Sequence, residues 1–345
     1  MTSSSADATA MFREADEAPA RVAAQLDATA QQVAKVAAAL RQFQPRAVLT
    51  CARGSSDHAA TYARYLIDTN LGLVTSSASP SVSSVYGARQ DLAGCLFLVI
   101  SQSGKSPDLL TAAAAAKLSG ARVVALVNAE DSPLAAMADH VIPLKAGEEK
   151  SVAATKSYIC ALAALLHLVA SWGENQDLLK ALAALPAGLE EARAQDWGAM
   201  ADLLAPAHNL FVLGRGVGLA IAQEAALKFK ETCGLHAEAF SSAEVRHGPM
   251  ALLRQNLPVL IFAQDDESRA GTEALAAELA AGGTSVLLAG GKAKGATILP
   301  GKSAPAAIAP LLQAQSFYGA AARLAVMRGF DPDHPPHLKK VTETL

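Results

Sequence analysis

The chain has 345 residues, 51% hydrophobic and 18% charged, with a net charge of −3. That length accommodates two domains of ordinary size, and the near-neutral, apolar composition excludes a disordered chain and a nucleic-acid footprint. The longest apolar stretch, residues 161–170, is too short to span a bilayer, and the opening MTSSSADATA has neither the basic nor the apolar region of a secretory leader, so a cytoplasmic location is expected.

In chain order, residues 18–42 form an amphipathic helical segment. The first apolar strand, VLTC, then runs into the turn ARGSS (52–56). A second strand, LFLVIS, ends in SQSGKSPD (101–108) and an alanine-rich helix, and RVVALV is a third strand. Gly104-Lys105-Ser106 looks like the end of a P-loop, but that pattern needs a glycine five positions earlier, where Val99 stands inside the strand. What remains is three hydroxyls (Ser101, Ser103, Ser106), the amide of Gln102 and a glycine, which suits a single phosphate better than a triphosphate with magnesium. A serine at a helix start can simply be a cap that needs no ligand. Against this stand the crowding of polar groups where helical N–H groups favour an anion, and a second hydroxyl turn, Gly54-Ser55-Ser56, at the end of the neighbouring strand.

Residues 171–206 read as helices broken at Gly173, Pro186 and Pro206, and beyond them the pattern repeats. Arg53 matches Arg215, Gln102 matches Gln264 and Gly120 matches Gly282, each 162 residues apart. A constant offset over several landmarks marks a duplicated unit. Strand, tight turn and helix alternate in each copy, so the expected fold is α/β, two tandem units with a parallel sheet flanked by helices. The expected division is an N-terminal helical segment at 1–44, a first unit at 45–190, a second at 191–328 and a tail at 329–345. The second copy has lost the serines: its turns read GRGVG and AQDDES, and Asp265, Asp266 and Glu267 would repel a phosphate.

The second copy carries other chemistry in AQEAALKFKETCGLHAEAFSSAEVRHGP (222–249). Glu224, Lys228 and Glu231 fall on one helical face, which is either a surface ion pair or part of an acid/base set with His247 before Gly248-Pro249. The four cysteines, Cys51, Cys95, Cys160 and Cys233, show no metal-binding spacing and read as buried, reduced thiols.

These motifs resemble the duplicated sugar isomerase (SIS) family over residues 45–345. The SQSGKSPDLL and ETCGLHAEAFSSAEVRHGP stretches are similar to the stand-alone glucosamine-6-phosphate deaminases and to the isomerase half of glutamine:fructose-6-phosphate amidotransferase. The resemblance implies that Ser56, Ser101, Gln102, Ser103 and Ser106, with Gly54 and Ser55 in the same turn, hold a sugar phosphate. It also implies that Val152 and Ala153 of KSVAATKSY line the sugar site. Glu231, beside Lys228 in LKFKE, would shuttle a proton between C1 and C2. His247 would assist ring opening for the neighbouring subunit of a homodimer. A tail lysine, Lys340 with Lys339 next to it, would meet the open-chain carbonyl. No cofactor or metal is implied. Because Thr2 follows Met1 and the first cysteine is Cys51, no glutaminase nucleophile is expected at the N-terminus. The expected reaction is isomerising deamination of an amino-sugar 6-phosphate, glucosamine 6-phosphate to fructose 6-phosphate and ammonia. The alternatives are a fructosamine-6-phosphate deglycase or another aldose–ketose isomerase, and, in a different class, a non-catalytic sugar-phosphate sensor.

Overall fold

A computed structural model describes residues 6–255 and 257–340. Its elements begin with α1 (Ala10–Asp16) and α2 (Ala18–Phe43), followed by β1 (Val48–Cys51), α3 (Ser55–Leu71), β2 (Thr75–Ser77) and the short α4 (Ser81–Ser84). Then come β3 (Leu96–Ser101), α5 (Pro107–Leu118), β4 (Arg122–Val127), α6 (Pro133–Met137), β5 (His140–Pro143) and α7 (Lys156–Trp172). Helices α8 (Gln176–Ala183), α9 (Leu185–Arg193) and α10 (Gly198–Leu204) lead into β6 (Asn209–Gly214), α11 (Gly218–Cys233) and β7 (His236–Ser241). The last elements are β8 (Val259–Phe262), α12 (Arg269–Ala281), β9 (Val286–Ala289), β10 (Thr297–Leu299) and α13 (Ala309–Met327).

The strands form two all-parallel sheets of one topology, β2-β1-β3-β4-β5 and β7-β6-β8-β9-β10. Their central strands are continuous apolar runs such as LFLVIS, every residue of which is buried, as a sheet covered on both faces requires. The first sheet's core gathers Phe97, Val99, Leu109, Val123 and Leu134, and the second's gathers Phe211, Leu213, Val259, Leu275 and Leu288. Each such side chain contributes about 1.5–3 kcal/mol by leaving water.

The duplication is visible in three dimensions. Helices α3 and α11 and helices α5 and α12 occupy equivalent places in their copies, and the turns before α3 and α11 share an unusual backbone. Gly54 and Gly216 both have positive φ, 57° and 55°, a region where a Cβ is disfavoured. In the first sheet the chain leaves β1 for β2 on one side and returns to β3 on the other. Strands β1 and β3 therefore flank a topological switch point, where ligands of open parallel sheets bind beyond the carboxyl ends.

By internal packing the chain divides into two units that are not contiguous in sequence. The first comprises Ala20–Glu148 and Ser157–Ala183 with Lys339 and Lys340. The second comprises the described residues up to Pro19, Glu149–Lys156 and Ala184–Leu338. The loop before α7, which holds Val152 and Ala153, thus lies before the second repeat in sequence and packs within the second unit. Among the described residues no helix is long and apolar enough to cross a membrane.

Candidate functional site

In the first unit, both serine turns sit at the carboxyl ends of adjacent paired strands, β1 and β3. An ion pair missed by the sequence reading ties them together. Arg53, after β1, places Nε 2.8 Å and Nη2 2.7 Å from one oxygen of Asp108, a buried carboxylate in the first turn of α5. A buried carboxylate needs such a partner, and the pair links the two turns. Within the second turn the hydroxyls shape the backbone: Ser101 Oγ accepts the Gly104 N–H at 3.0 Å and Ser103 Oγ accepts the Lys105 N–H at 3.3 Å. A hydroxyl that accepts still has its own proton to give, which suits an anion. Gly104 has a φ of 62°, and a Cβ there would collide with the Ser132 side chain, so the tight turn demands glycine.

Ser106 bears on whether this turn is only a helix cap. It occupies the N-cap position of α5, yet its side chain makes no cap hydrogen bond. Ser132 in the same unit does cap its helix, accepting the Ala135 N–H at 3.4 Å. Ser55 and Ser56 open α3 directly after Gly54. The half-buried Gln102 accepts the Asn128 and Ala129 N–H groups through its backbone carbonyl. The equivalent turn of the second unit is closed by its own residues. Asp266 accepts from Ser268 Oγ at 2.6 Å, and Asp265 pairs with Arg269 at 3.4 Å.

In the second unit, α11 carries Glu224, Lys228 and Glu231 at i, i+4 and i+7, as the helical period requires. The surface reading of this group is wrong: Glu224 and Lys228 are 0% and 1% exposed, because Ala220, Ala225 and Phe229 draw the helix into the core. Lys228 Nζ lies 3.4 Å from Glu224 and 2.5 Å from Glu231. Burial by itself would push the ammonium down, but the two carboxylates hold it above the ordinary lysine range. Tyr318 of α13, also missed, donates its hydroxyl to Glu224 at 2.9 Å. Glu231 alone of the three keeps an exposed edge, at 20%. The Glu231 carboxylate is thus braced by a buried ammonium on one side and open on the other.

His247 is exposed and ends a short 3-10 segment, Glu244–His247, anchored by buried Val245 and by the Arg246–Glu278 ion pair. Val152 is half-buried and Ala153 fully buried; the Val152 N–H donates to the Asp333 carbonyl at 3.4 Å. In the same loop the Thr155 hydroxyl is buried with no hydrogen-bond partner among the described residues. Leaving such a group unsatisfied costs about 1–3 kcal/mol. Lys340 is half-buried and Lys339 exposed, and the tail residues 341–345 lie outside the described residues.

All four cysteines are free and buried; burial pushes the Cys51 thiol up to about 12 and Cys233 up to about 11, so both stay protonated. Among the described residues, no group of three or more His, Cys, Asp or Glu side chains is placed to hold a metal ion.

The doubled parallel α/β fold has counterparts among known proteins. The chain is 31% identical over 340 residues to a glutamine–fructose-6-phosphate aminotransferase (isomerizing) of Sulfurisphaera tokodaii, covering 96% of this chain and 56% of the relative. Its match to the protein of that name from Zymomonas mobilis is 33% identical over 323 residues, covering 87% and 52%. The chain therefore spans about half the length of the curated relatives it matches. Among solved structures, a candidate phosphosugar isomerase from Silicibacter pomeroyi DSS-3 superposes with a TM-score of 0.91 at 46% identity, covering 94% of this chain and all of that one. A glucosamine-6-phosphate deaminase from Thermotoga maritima shares the fold with a TM-score of 0.77 at 19% identity, over 97% of this chain and 100% of that one. The SIS domain profile matches residues 43–171 and 203–294, one segment for each repeat, and the chain belongs to the SIS domain family.

Proposed function

We propose that this chain is a phosphosugar isomerase that deaminates an amino-sugar 6-phosphate, converting glucosamine 6-phosphate and water to fructose 6-phosphate and ammonia. The observation that carries this reading is Glu231, held 2.5 Å from a fully buried ammonium and open on one edge. A module that only binds sugar phosphate needs the serine turns; it has no use for a braced, proton-exchanging carboxylate.

In this reading Ser56, Ser101, Gln102, Ser103 and Ser106 hold the phosphate, with Gly54 and Ser55 completing the turn. His247 protonates the ring oxygen as the pyranose opens to the aldehyde. Glu231 takes the C2 proton, which leaves an enolamine across C1 and C2, and returns a proton to C1. The product is a ketimine at C2; water adds there and ammonia leaves. Lys228 stays charged throughout and steadies the Glu231 carboxylate between proton transfers. Val152 and Ala153 line the sugar, and Lys340 or its neighbour Lys339 meets the carbonyl end. The active form is a homodimer in the cytoplasm, in which His247 of each chain serves the neighbouring subunit. No cofactor is required, because enolisation needs a base and a polarised carbonyl.

The test is to supply glucosamine 6-phosphate and measure both products. Fructose 6-phosphate and ammonia in equal amounts support the reading. Cleavage of a fructosamine 6-phosphate alone keeps the residue roles and replaces the substrate. Tight binding of both sugars with no turnover makes the protein a sensor.

A further inference from the structure

The loop Glu149–Lys156, whose sugar-lining role belongs to the reading above, is held from outside by groups that no part of that chemistry uses. Its Lys150 and Ser151 N–H groups both donate to the carboxylate of Glu14 in α1, one to each oxygen, the latter at 3.1 Å. Its Val152 N–H donates to the Asp333 carbonyl. The Asp333 carboxylate in turn accepts the Ala10 and Met11 N–H groups at the start of α1, at 2.6 and 2.7 Å. At the far end of the loop, buried Lys156 pairs with Glu17 at 2.9 Å, and the Thr155 N–H donates to Glu149 at 2.9 Å. Glu14 is itself only 6% exposed.

These bonds close a ring: α1 grips the loop through Glu14 and its C-cap residue does so through Glu17, the root of the tail grips α1 through the Asp333 side chain, and its backbone grips the loop. Three of the loop's N–H groups are taken up in this way, and both carboxylates that hold the ring spend two oxygens on backbone donors. Charge-assisted bonds of this kind are stronger than neutral ones and fix direction as well as distance. Ser151, Ala153 and Thr155 of SVAAT are buried, but side chains this small leave the direction of the backbone to its hydrogen bonds.

We propose that Glu14 and Asp333 are positioning residues: a clasp of the N-terminal helix and the tail root that sets the conformation of the 150–155 loop. Both act through backbone groups of the loop and of α1. Their effect on turnover rests on the reading above, while their effect on the loop does not.

The experiment is amide hydrogen exchange and steady-state kinetics on the full chain and its Glu14→Ala, Glu14→Gln and Asp333→Ala variants. In Glu14→Ala, exchange over residues 150–152 should rise by about tenfold or more, with strand β8 of the same unit unchanged. Glu14→Gln, whose amide oxygen still accepts, should fall between that variant and wild type. Asp333→Ala should release Ala10 and Met11 together with the loop. For turnover of the hexosamine phosphate, kcat should fall in the same order, while competitive inhibition by inorganic phosphate stays constant.

Unchanged loop exchange in Glu14→Ala overturns the proposal. So does a rise matched by β8, which would mean general destabilisation. Loosening of the loop with unaltered kcat and KM overturns the positioning role. If the wild-type chain turns over no sugar phosphate, exchange alone decides: loosening confined to the loop and α1 supports the clasp and leaves only the proposed reaction refuted.

Discussion

Replacing Lys228 with methionine removes the only cation of a buried triad and leaves Glu224 charged at 0% exposure. At 3.4 Å and an effective dielectric constant of about 20, the lost attraction to Glu224 alone is about 5 kcal/mol. The bond to Glu231 adds less, since that carboxylate is 20% exposed and regains water. Against this stands the relief of no longer burying the ammonium, so the net expectation is the cost of orphaning one member of a buried pair, about 3–5 kcal/mol. Lys228→Met combined with Glu224→Gln should recover much of that loss, because the amide carries no charge and can still accept the Tyr318 hydroxyl bond. The assay is urea unfolding in a Trp172→Phe background. Trp197, 2% exposed and within the second unit, then reports on that unit alone. A single variant costing under about 1 kcal/mol, or a double variant no more stable than the single, would refute the argument that Lys228 is an electrostatic keystone.

The serine turns should govern affinity: Ser101→Ala with Ser103→Ala should raise KM far more than it lowers kcat, because the phosphate is contacted alike in ground and transition states. Glu231→Gln should retain ligand binding and lose about 10²–10⁴-fold in turnover, along with exchange of the C2 hydrogen into solvent. Mixing that chain with an equally inactive His247→Ala chain should restore part of the activity through hybrid dimers, and no recovery after confirmed subunit exchange would assign both residues to one chain's reaction. In the first unit, burial works against the Asp139 carboxylate, but Lys117 and the Val123 N–H, each at 2.8 Å, hold its pKa below the ordinary 3.8. A lowered carboxylate stabilises above its unfolded pKa and loses that contribution as pH falls through the folded one. The stability lost on Asp139→Asn should therefore be full near neutral pH and shrink below the ordinary aspartate range, as read by thermal unfolding against pH.

The sequence by itself determined the doubled α/β architecture, because strand and helix periods, glycine turns and a constant 162-residue offset are all local or self-referential signals. It also placed the two serine turns on neighbouring strands and put Glu224, Lys228 and Glu231 on one helical face. Even the repeat has limits: β5 begins at His140, but β10 begins at Thr297, earlier than the offset requires, because the loops before them differ in length. Only the tertiary structure decided what those residues face. Helical spacing is identical for a surface ion pair and a buried triad, and packing of α11 made the pair a buried one. The structure alone also showed that the Ser106 hydroxyl is not spent on its helix, and it supplied every distant partner. Asp108 meets Arg53 across 55 residues, Tyr318 meets Glu224 across 94, and Glu14 meets the 150–155 loop across 136. Such pairings depend on how the chain returns to itself around the sheets, and no local period records that path.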